Sequence, residues 1–310
     1  MNDRPRVLIT PRSLTAGGLD SVPELEPLRQ AGFELVSPEP GRMPGHDELL
    51  ELVPGCVGWL AGVERIDAEI LERATQLRAI SRNGTGTDAV DLDAAERHGV
   101  AVLRAEGANA QGVAELVLTL VLAALRGVVP STTALKAGRW ERSVGHELAD
   151  RTVGIVGLGA IGRRTAAMFT ALGAHVVGHD PYPSDTTVRL LGLDELLATA
   201  DVISLSCPPP ADGRPILDAA RLATVPRGTV LVNTARSSLV DDAAVLAVLE
   251  GGTLAAYAVD AFDAEPPEPS ALLRHEKVVP TPHIGGFTTS SVRRATTVAV
   301  DNLLDALVAR

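Results

Sequence analysis

The sequence predicts an α/β protein with two domains, each built on a parallel sheet covered by helices. Short segments rich in apolar and β-branched residues alternate with amphipathic helical segments along the whole chain, which is the pattern of parallel sheets. The length of 310 residues fits two domains of roughly 100 to 200 residues each. A glycine-rich turn follows an apolar strand near the middle of the chain, so the larger domain is predicted to be doubly wound and to bind a dinucleotide.

The smaller domain is predicted to combine the first third of the chain with its last helix. Five predicted strands lie in the first third, over 7–10, 33–36, 57–60, 77–81 and 100–103. A helix is predicted between these strands over 67–74, and a final one over 290–307, because apolar residues recur there at helical spacing. A final helix often packs on an earlier domain, so we predict a flavodoxin-like domain that comprises residues 1–103 and 287–310.

The larger domain is predicted to cover residues 104–286 and to hold a Rossmann-type sheet. Its six predicted strands are 152–156, 174–179, 202–205, 229–232, 254–259 and 278–280. Helices are predicted over 161–172 and 241–249. The apolar run 116–125 has about half the length of a membrane span, so it is predicted to be a buried helix, and no membrane partner is expected.

Composition and charge exclude several classes of protein. Apolar residues make up 45% and charged residues 22% of the chain, which excludes a disordered protein. The 28 basic and 39 acidic residues give a net charge of −11, which argues against nucleic acid as a partner. Cys56 and Cys207 lie far apart in apolar segments, and the N-terminus lacks an export signal, so we expect reduced thiols and a cytoplasmic protein. The sequence contains no HExxH, GxSxG or GxxxxGK[ST] motif, and no metal site is predicted.

A glycine motif predicts a pyrophosphate site. The sequence GLGAIG directly follows the first predicted strand of the larger domain and opens a helix. Its glycines permit a tight turn, the approach of a pyrophosphate, and close packing of helix and strand, in the order Gly157, Gly159 and Gly162. The start of the helix supplies backbone amides to the anion, those of Ala160 and Ile161.

An acidic residue predicts which dinucleotide binds. Asp180 ends the next predicted strand, 18 residues after Gly162, where the hydroxyls of the adenosine ribose lie in such domains. A carboxylate accepts hydrogen bonds from both hydroxyls and repels a 2′-phosphate. The predicted cofactor is therefore NAD and not NADP.

Three polar segments follow later strands of the same sheet, where doubly wound domains bind their ligands. They contain Arg236, Glu265 and His283. Oxidation of a 2-hydroxy acid requires a base for the hydroxyl proton, a cation for the carboxylate and a nicotinamide for the hydride. Histidine suits the proton because its pKa lies near neutral pH, and the guanidinium of arginine suits a planar carboxylate. In the direction of reduction, His283 would act as the acid, and Arg236 would also polarise the keto oxygen.

The chain resembles the D-isomer-specific 2-hydroxyacid dehydrogenases over nearly its whole length. That family includes 3-phosphoglycerate dehydrogenase and the glyoxylate/hydroxypyruvate reductases. Six ordered features carry the resemblance: RNGTGTDAVD at 82–91, GANAQGVAE at 107–115, GLGAIG with Asp180, NTAR ending at Arg236, VDAFDAEPP around Glu265, and TPHIGG around His283.

The resemblance implies roles for individual residues. The catalytic residues would be Arg236, which binds the substrate carboxylate, and the proton-transfer pair Glu265 and His283. Further cofactor contacts would come from Ala235, from Gly285 and from Asp260, which would hold the nicotinamide carboxamide. The first domain would grip the substrate carboxylate with the backbone of four residues, Asn83, Gly84, Thr85 and Gly86.

The resemblance also implies partners and an arrangement of domains. The substrate would be a small anionic 2-hydroxy or 2-oxo acid, bound in a cleft that closes between the two domains. The family commonly forms homodimers through the NAD-binding domain, which would suit the apolar helix over 116–125.

Three features depart from the pattern of the family. Ser237 stands where glycine is usual, which bears on the geometry of the Arg236 loop. The sequence Ser206-Cys207-Pro208 lacks the histidine often found near that proline, so contacts on the adenine side are expected to differ. Residues 59–63 are neutral where phosphoglycerate enzymes tend to carry an arginine, so a phosphorylated substrate is less strongly implied. Three arginines could replace that cation: Arg65, Arg82, and Arg139 from a neighbouring subunit.

Two alternatives to this function stay open at the level of sequence. One is a nicotinamide-sensing binding protein like the corepressors of the same family, which would retain the NAD site and use surface grooves for partners. The other is a dehydrogenase of an unusual anion, such as phosphite or a phosphonate-bearing acid.

Overall fold

The computed structural model describes residues 4–149, 151–183 and 186–308. These residues form two compact units, one from the residues up to Asn109 together with those from Thr288 onward, and the other from Ala110–Phe287. The predicted boundaries lie earlier, before residues 104 and 287. The segment after residue 103 belongs to the first unit because the Ala105 amide donates to the Gly84 carbonyl at 2.9 Å, and Ala108 packs in its core. The ends of the predicted first domain, 1–3 and 309–310, lie outside the described residues.

The first unit contains a five-stranded parallel sheet in the order β2-β1-β3-β4-β5. This is the flavodoxin-like order. The strands are β1 (Arg6–Ile9), β2 (Glu34–Val36), β3 (Cys56–Ala61), β4 (Ala79–Arg82) and β5 (Ala101–Arg104). Its connecting helices are α1 (Arg12–Thr15), α2 (Glu26–Gln30), α3 (His46–Leu52), α4 (Ala68–Arg73) and α5 (Leu92–Arg97), with 3-10 turns at Leu19–Ser21 and Pro23–Leu25. Asp67 and Asp91 cap α4 and α5 by accepting backbone N–H bonds, as aspartate does at helix starts.

The second unit contains a seven-stranded parallel sheet in the order β12-β11-β10-β9-β6-β7-β8. The strands are β6 (Thr152–Val156), β7 (His175–His179), β8 (Arg189–Leu190), β9 (Val202–Leu205), β10 (Thr229–Asn233), β11 (Leu254–Val259) and β12 (Val278–Pro280). The order reverses beside β6, as in dinucleotide-binding sheets. β8 was not predicted because it consists of two exposed residues, which are too few to show the period of a strand. The predicted fold class, a two-domain α/β protein with a Rossmann-type sheet, is confirmed.

Helices cover both faces of this second sheet. They are α6 (Ala110–Leu125), α7 (Val128–Lys136), α8 (Ala160–Ala171), α9 (Leu193–Thr199), α10 (Ala219–Leu222), α11 (Asp242–Glu250) and α12 (Ala271–Arg274). The apolar run 116–125 lies in α6, which packs against α8, β10 and β11, and its residues Val117 and Val121 are fully buried. Within the described part of the chain, no single helix has the length and apolar character of a membrane span. The pair α6 and α7 reaches that length and apolar character only in combination, and the two helices meet at a bend of 64°.

The last helix, α13 (Thr289–Val308), belongs to the first unit. Ala299 and Leu303 are buried in the core that it shares with β1 and β3. A Cβ on Gly58 of β3 would lie 2.7 Å from a methyl carbon of Leu307, so the absence of a side chain there lets the helix approach the strand. Asn302 adds a bond to the Arg104 carbonyl at 3.0 Å.

The packing of α8 on β6 gives a test of the second core. Phe169 of α8 is fully buried beside Val153 and Ile155. We expect Phe169→Ala to lower the free energy of unfolding by about 3 to 5 kcal/mol because it removes a large apolar side chain and leaves a cavity. Urea denaturation followed by circular dichroism measures this change. Leu172→Ala, at the exposed end of the same helix, is the control and should lower the free energy of unfolding by less than about 0.5 kcal/mol. Equal losses of stability in the two variants would contradict the placement of Phe169 in the core.

Candidate functional site

The three glycines of the turn after β6 have different surroundings. Gly157 has φ of +96°, and a Cβ there would lie 2.6 Å from the Ser206 carbonyl oxygen. A Cβ on Gly162 would lie 1.9 Å from the Gly157 carbonyl oxygen. Gly159 has no atom within 4 Å of such a Cβ. The fold itself therefore requires the first and third glycines, whereas the second leaves open space beside the helix start, where a pyrophosphate fits.

The start of α8 provides donors for that anion. Its N-cap, Gly159, makes no side-chain capping bond. The amides of Ala160 and Ile161 belong to the first turn, where helical N–H groups have no acceptor within the helix. The helix dipole adds a partial positive charge at the same end. These residues thus fit the pyrophosphate of a dinucleotide.

Asp180 lies at the end of β7 beside the glycine turn. Its carboxylate accepts hydrogen bonds from the Leu158 amide at 2.7 Å and from the Tyr182 amide at 2.9 Å. Each oxygen keeps a second acceptor position, so the side chain can still bind ribose hydroxyls. Sequence analysis did not foresee that Asp180 also fixes the backbone of the turn.

The segment that carries Arg236 is held by the last residue of β10. Asn233 is fully buried; its side-chain amide donates to the Arg236 carbonyl at 2.8 Å, and its oxygen accepts from the Ala235 amide at 3.1 Å. Asparagine makes such local turns because its side chain mimics a backbone peptide. The Arg236 side chain also donates to the Ala235 carbonyl at 2.7 Å. Asn233 therefore determines where the backbone of Arg236 lies.

Glu265 and His283 form the predicted pair. The carboxylate oxygen Oε1 of Glu265 lies 2.6 Å from Nδ1 of His283, and both side chains are about half exposed. Because an ionised carboxylate can only accept a hydrogen bond, Nδ1 carries the proton. The second ring nitrogen, Nε2, is then the atom that can take or give a proton. The pair is thus arranged for general acid–base chemistry.

A buried carboxylate supports the loop that presents His283. His283 has φ of +51°, an uncommon left-handed conformation for a residue with a side chain. The buried Asp260 accepts bonds from the amides of Ile284 and Gly285, both at 2.8 Å, and from the Thr281 hydroxyl at 2.6 Å. A Cβ on Gly285 would approach this carboxylate to 3.0 Å. The contact of Asp260 with a nicotinamide stays a prediction; within the protein, it positions the histidine loop.

Three neighbouring strands bring the catalytic candidates to one edge of the sheet. β10, β11 and β12 are parallel, and their last residues are in register, Asn233 with Val259 and Val259 with Pro280. The segments with Arg236, Glu265 and His283 all leave from these ends. Parallel sheets of this type bind ligands there.

The four predicted substrate residues of the first unit, 83–86, directly follow β4. Their backbone is well supported, since the Ala105 amide donates to the Gly84 carbonyl at 2.9 Å, and Nε of Arg82 donates to the Gly86 carbonyl at 3.0 Å. Thr296 of α13 donates to the Asn83 side chain at 3.4 Å.

Arg82 is a buried cation next to these residues. Burial lowers the pKa of its guanidinium, whereas the nearby carboxylates of Glu64 and Asp88 raise it. Its Nη1 atom has no hydrogen-bond partner within the described part of the chain. Sequence motifs predict only a secondary role for Arg82, as one of three replacement cations, because burial cannot be read from a motif. No group of three or more metal-ligating side chains occurs among residues 4–149, 151–183 and 186–308.

Comparisons with known proteins find similar sequences and structures. The sequence model described as D-isomer specific 2-hydroxyacid dehydrogenase, NAD binding domain, matches residues 118–285, which confirms the predicted cofactor. The D-3-phosphoglycerate dehydrogenase of Mycobacterium tuberculosis is 39% identical over 272 residues, or 85% of this chain and 52% of that protein. The (S)-sulfolactate dehydrogenase of Chromohalobacter salexigens is 40% identical over 255 residues, or 79% of this chain and 82% of that protein.

A solved structure from Thermus thermophilus has a TM-score of 0.88 with this chain and 36% sequence identity, and the match covers 98% of this chain and 97% of that one. The chain spans about half the length of the phosphoglycerate dehydrogenases it matches.

The glycine turn gives a test that separates ligand binding from folding. Gly159→Ala adds a methyl group in open space, so we expect an unchanged melting temperature but NADH binding weaker by about tenfold, or about 1.4 kcal/mol. Gly162→Ala forces its methyl group against the Gly157 carbonyl, and we expect it to cost about 1 to 3 kcal/mol of stability. Thermal unfolding and NADH fluorescence titration measure the two effects. Full NADH affinity in Gly159→Ala would contradict the assigned pyrophosphate position.

Proposed function

This chain belongs to the D-isomer-specific 2-hydroxyacid dehydrogenases, and we propose that it interconverts a short D-2-hydroxy acid and its 2-oxo acid with NAD. The family resemblance predicted from the sequence motifs is confirmed by the matched family and relatives. The observation that carries the proposed activity is the Glu265–His283 pair, at the same sheet edge as Arg236. A base held by a carboxylate and a neighbouring cation are the two groups that this reaction needs from a protein.

NAD, when bound, takes the hydride from carbon 2 of the hydroxy acid or, as NADH, returns it to the oxo acid. We assign the pyrophosphate to the glycine turn and the start of α8, and the adenosine ribose to Asp180. The residues proposed for the pyrophosphate are Gly157, Gly159, Ala160, Ile161 and Gly162. Those proposed for the nicotinamide end are Ala235, Asp260 and Gly285.

We assign the transfer of the substrate proton to His283. In oxidation, Nε2 accepts the proton of the substrate hydroxyl, and Glu265 stabilises the resulting imidazolium through Nδ1. In reduction, the same nitrogen donates a proton to the keto oxygen. Since the two side chains are already hydrogen-bonded, the carboxylate holds the ring in the tautomer that the reaction needs.

We assign the binding of the substrate carboxylate to Arg236. A guanidinium can donate two parallel hydrogen bonds to a carboxylate and also polarise the neighbouring keto oxygen. By the same resemblance, the backbone of Asn83, Gly84, Thr85 and Gly86 is assigned to substrate binding. Both assignments rest on the match of these residues to motifs of the family.

The names of the relatives suggest the side group of the substrate. Phosphoglycerate and sulfolactate are both three-carbon 2-hydroxy acids with an anionic group on carbon 3. We infer a three-carbon acid with a polar group at that position. Arg82, buried under residues 83–86, is a cation that favours such a group. Spectrophotometric assays of NADH oxidation with hydroxypyruvate, phosphohydroxypyruvate, sulfopyruvate, pyruvate and glyoxylate test this, and faster turnover of pyruvate than of the first three acids would contradict it.

The assigned base gives the main test of the proposed activity. We expect His283→Ala to lower kcat by about 10²- to 10⁴-fold, the usual contribution of a general acid or base, while NADH still binds. His98→Ala, which removes an exposed histidine at the end of α5, is the matched control and should retain full activity. A loss of less than about threefold in His283→Ala would refute the assigned role. Tight NADH binding without turnover of any acid would favour a sensor or an enzyme for another anion.

We further propose a homodimer formed through the NAD-binding unit. Six exposed large apolar residues lie within 23 positions of each other, at Leu122, Val128, Val129, Leu135, Trp140 and Val144. Trp140 is 80% and Val144 97% exposed. Exposed apolar clusters of this kind mark protein–protein contacts, and tryptophan is enriched in them.

The state of the cysteines supports the proposed cytoplasmic location. Cys56 and Cys207 are both unpaired thiols. Burial raises the pKa of Cys207 to about 11, so its thiol stays protonated and unreactive at neutral pH. Unpaired, inert thiols are typical of reducing compartments.

The proposed dimer is tested by Trp140→Glu. A charge in the centre of an apolar contact is costly to bury, so we expect the variant to shift towards a monomer in light scattering coupled to size-exclusion chromatography. Met43→Glu, which places the same charge at an exposed apolar residue of the first unit, is the control and should remain dimeric. A wild-type monomer, or an unchanged dimer in Trp140→Glu, would contradict the proposed interface.

A further inference from the structure

Two contacts outside the proposed catalytic set support the segment around Arg236 from opposite sides. Tyr257 is the diagonal neighbour of Asn233 on the buried side, and the Ser237 hydroxyl bonds to Asp263 on the exposed side. We propose that Tyr257 and Ser237 are positioning residues that set the location of the Arg236 guanidinium relative to the Glu265–His283 pair. The inference rests on the proposed function, since it assigns a purpose to the placement of Arg236.

The buried bridge acts through Asn233. Tyr257 lies on β11 beside Leu231 of β10, and it is almost completely buried. Asn233 lies diagonally across from it, within reach of an aromatic side chain. Burial raises the pKa of the Tyr257 hydroxyl, and Asn233 lowers it. The Asn233 side chain itself bonds to the Arg236 carbonyl and the Ala235 amide. A buried amide with partners on every side has one favourable orientation. Tyr257 therefore fixes Asn233, and Asn233 fixes the backbone at Arg236.

The exposed bridge connects two catalytic segments directly. The Ser237 hydroxyl donates to the carboxylate of Asp263. Ser237 is the neighbour of Arg236, and Asp263 lies two residues before Glu265. The bond thus joins the segment after β10 to the segment after β11. Glycine, which the family usually has at this position, has no side chain and cannot make it.

The charges around Asp263 explain why a donor matters there. Burial and the carboxylates of Asp263 and Asp241 raise the pKa of Asp242 at the start of α11. Repulsion among these carboxylates favours displacement of the Asp263 segment away from α11. The serine hydroxyl opposes that displacement because it gives the Asp263 carboxylate a hydrogen-bond donor on the Arg236 segment.

Loss of either bridge should shift Arg236 by less than an ångström. We expect Ser237→Gly and Tyr257→Phe each to lower kcat/KM for the best 2-oxo acid by roughly tenfold, which is less than the hundredfold that a full ångström of misplacement can cost. Ser237→Thr keeps the hydroxyl and should stay within about threefold of the wild type. NADH affinity should not change, since neither residue belongs to the glycine turn. Ser238→Gly, an exposed serine in the same 3-10 turn, is the matched control and should retain full activity.

The decisive measurement combines these changes with Arg236→Lys, which keeps the positive charge but loses the planar fork. If the bridges act through the guanidinium, Ser237→Gly and Tyr257→Phe should each lower kcat/KM by less than about twofold in that background. An undiminished tenfold loss there, or no loss in the wild-type background, would overturn the inference while leaving the proposed function intact. A wild-type protein that turns over none of the acids would instead overturn both. Thermal unfolding of each variant checks the fold, and Ser237→Gly, at a partly exposed position, tests the inference even if Tyr257→Phe unfolds.

Discussion

The parallel register of β10, β11 and β12 is the constraint on which the candidate site depends. Three catalytic candidates that are far apart in sequence reach one edge because these strands run in the same direction and end at the same level. The side chains of Glu265 and His283 are about half exposed, and Arg236 is partly exposed, so the core does not hold them directly. The rigid sheet positions the start of each segment, and hydrogen bonds at each strand end position the rest.

Polar residues at the strand ends provide such hydrogen bonds, at the catalytic segments and at the glycine turn. Asn233 holds the Arg236 segment, Asp260 holds the His283 loop, and Asp180 holds the glycine turn. Each is the residue at or directly after the end of a strand, and each binds backbone groups that would otherwise be unsatisfied. Asp180 and Asp260 thus stabilise the local backbone in addition to making their proposed contacts with NAD. The strained backbone of His283 persists because its neighbours are fixed in this way.

Most of the fold and the candidate site could be predicted from sequence. The alternation of apolar strands and amphipathic helices indicated the two sheets, because periodicity reports burial directly. Predicted strands miss the observed bounds by at most two residues, apart from β8, which is too short and exposed to show a pattern. The roles proposed for Arg236, Glu265 and His283 came from motifs, and the structure supplies the 2.6 Å contact between the last two.

The residue types of the site, their order along the chain and the strand ends they follow can be read from local sequence pattern. Which of these groups become neighbours depends on the three-dimensional fold. Tyr257 looks like an ordinary strand residue, and Ser237 like a small departure from a motif. Their contacts with Asn233 and Asp263 depend on the pairing of β10 with β11 and the path of the loops. Contacts across strands arise from the packing of distant segments, which spacing along one chain does not encode.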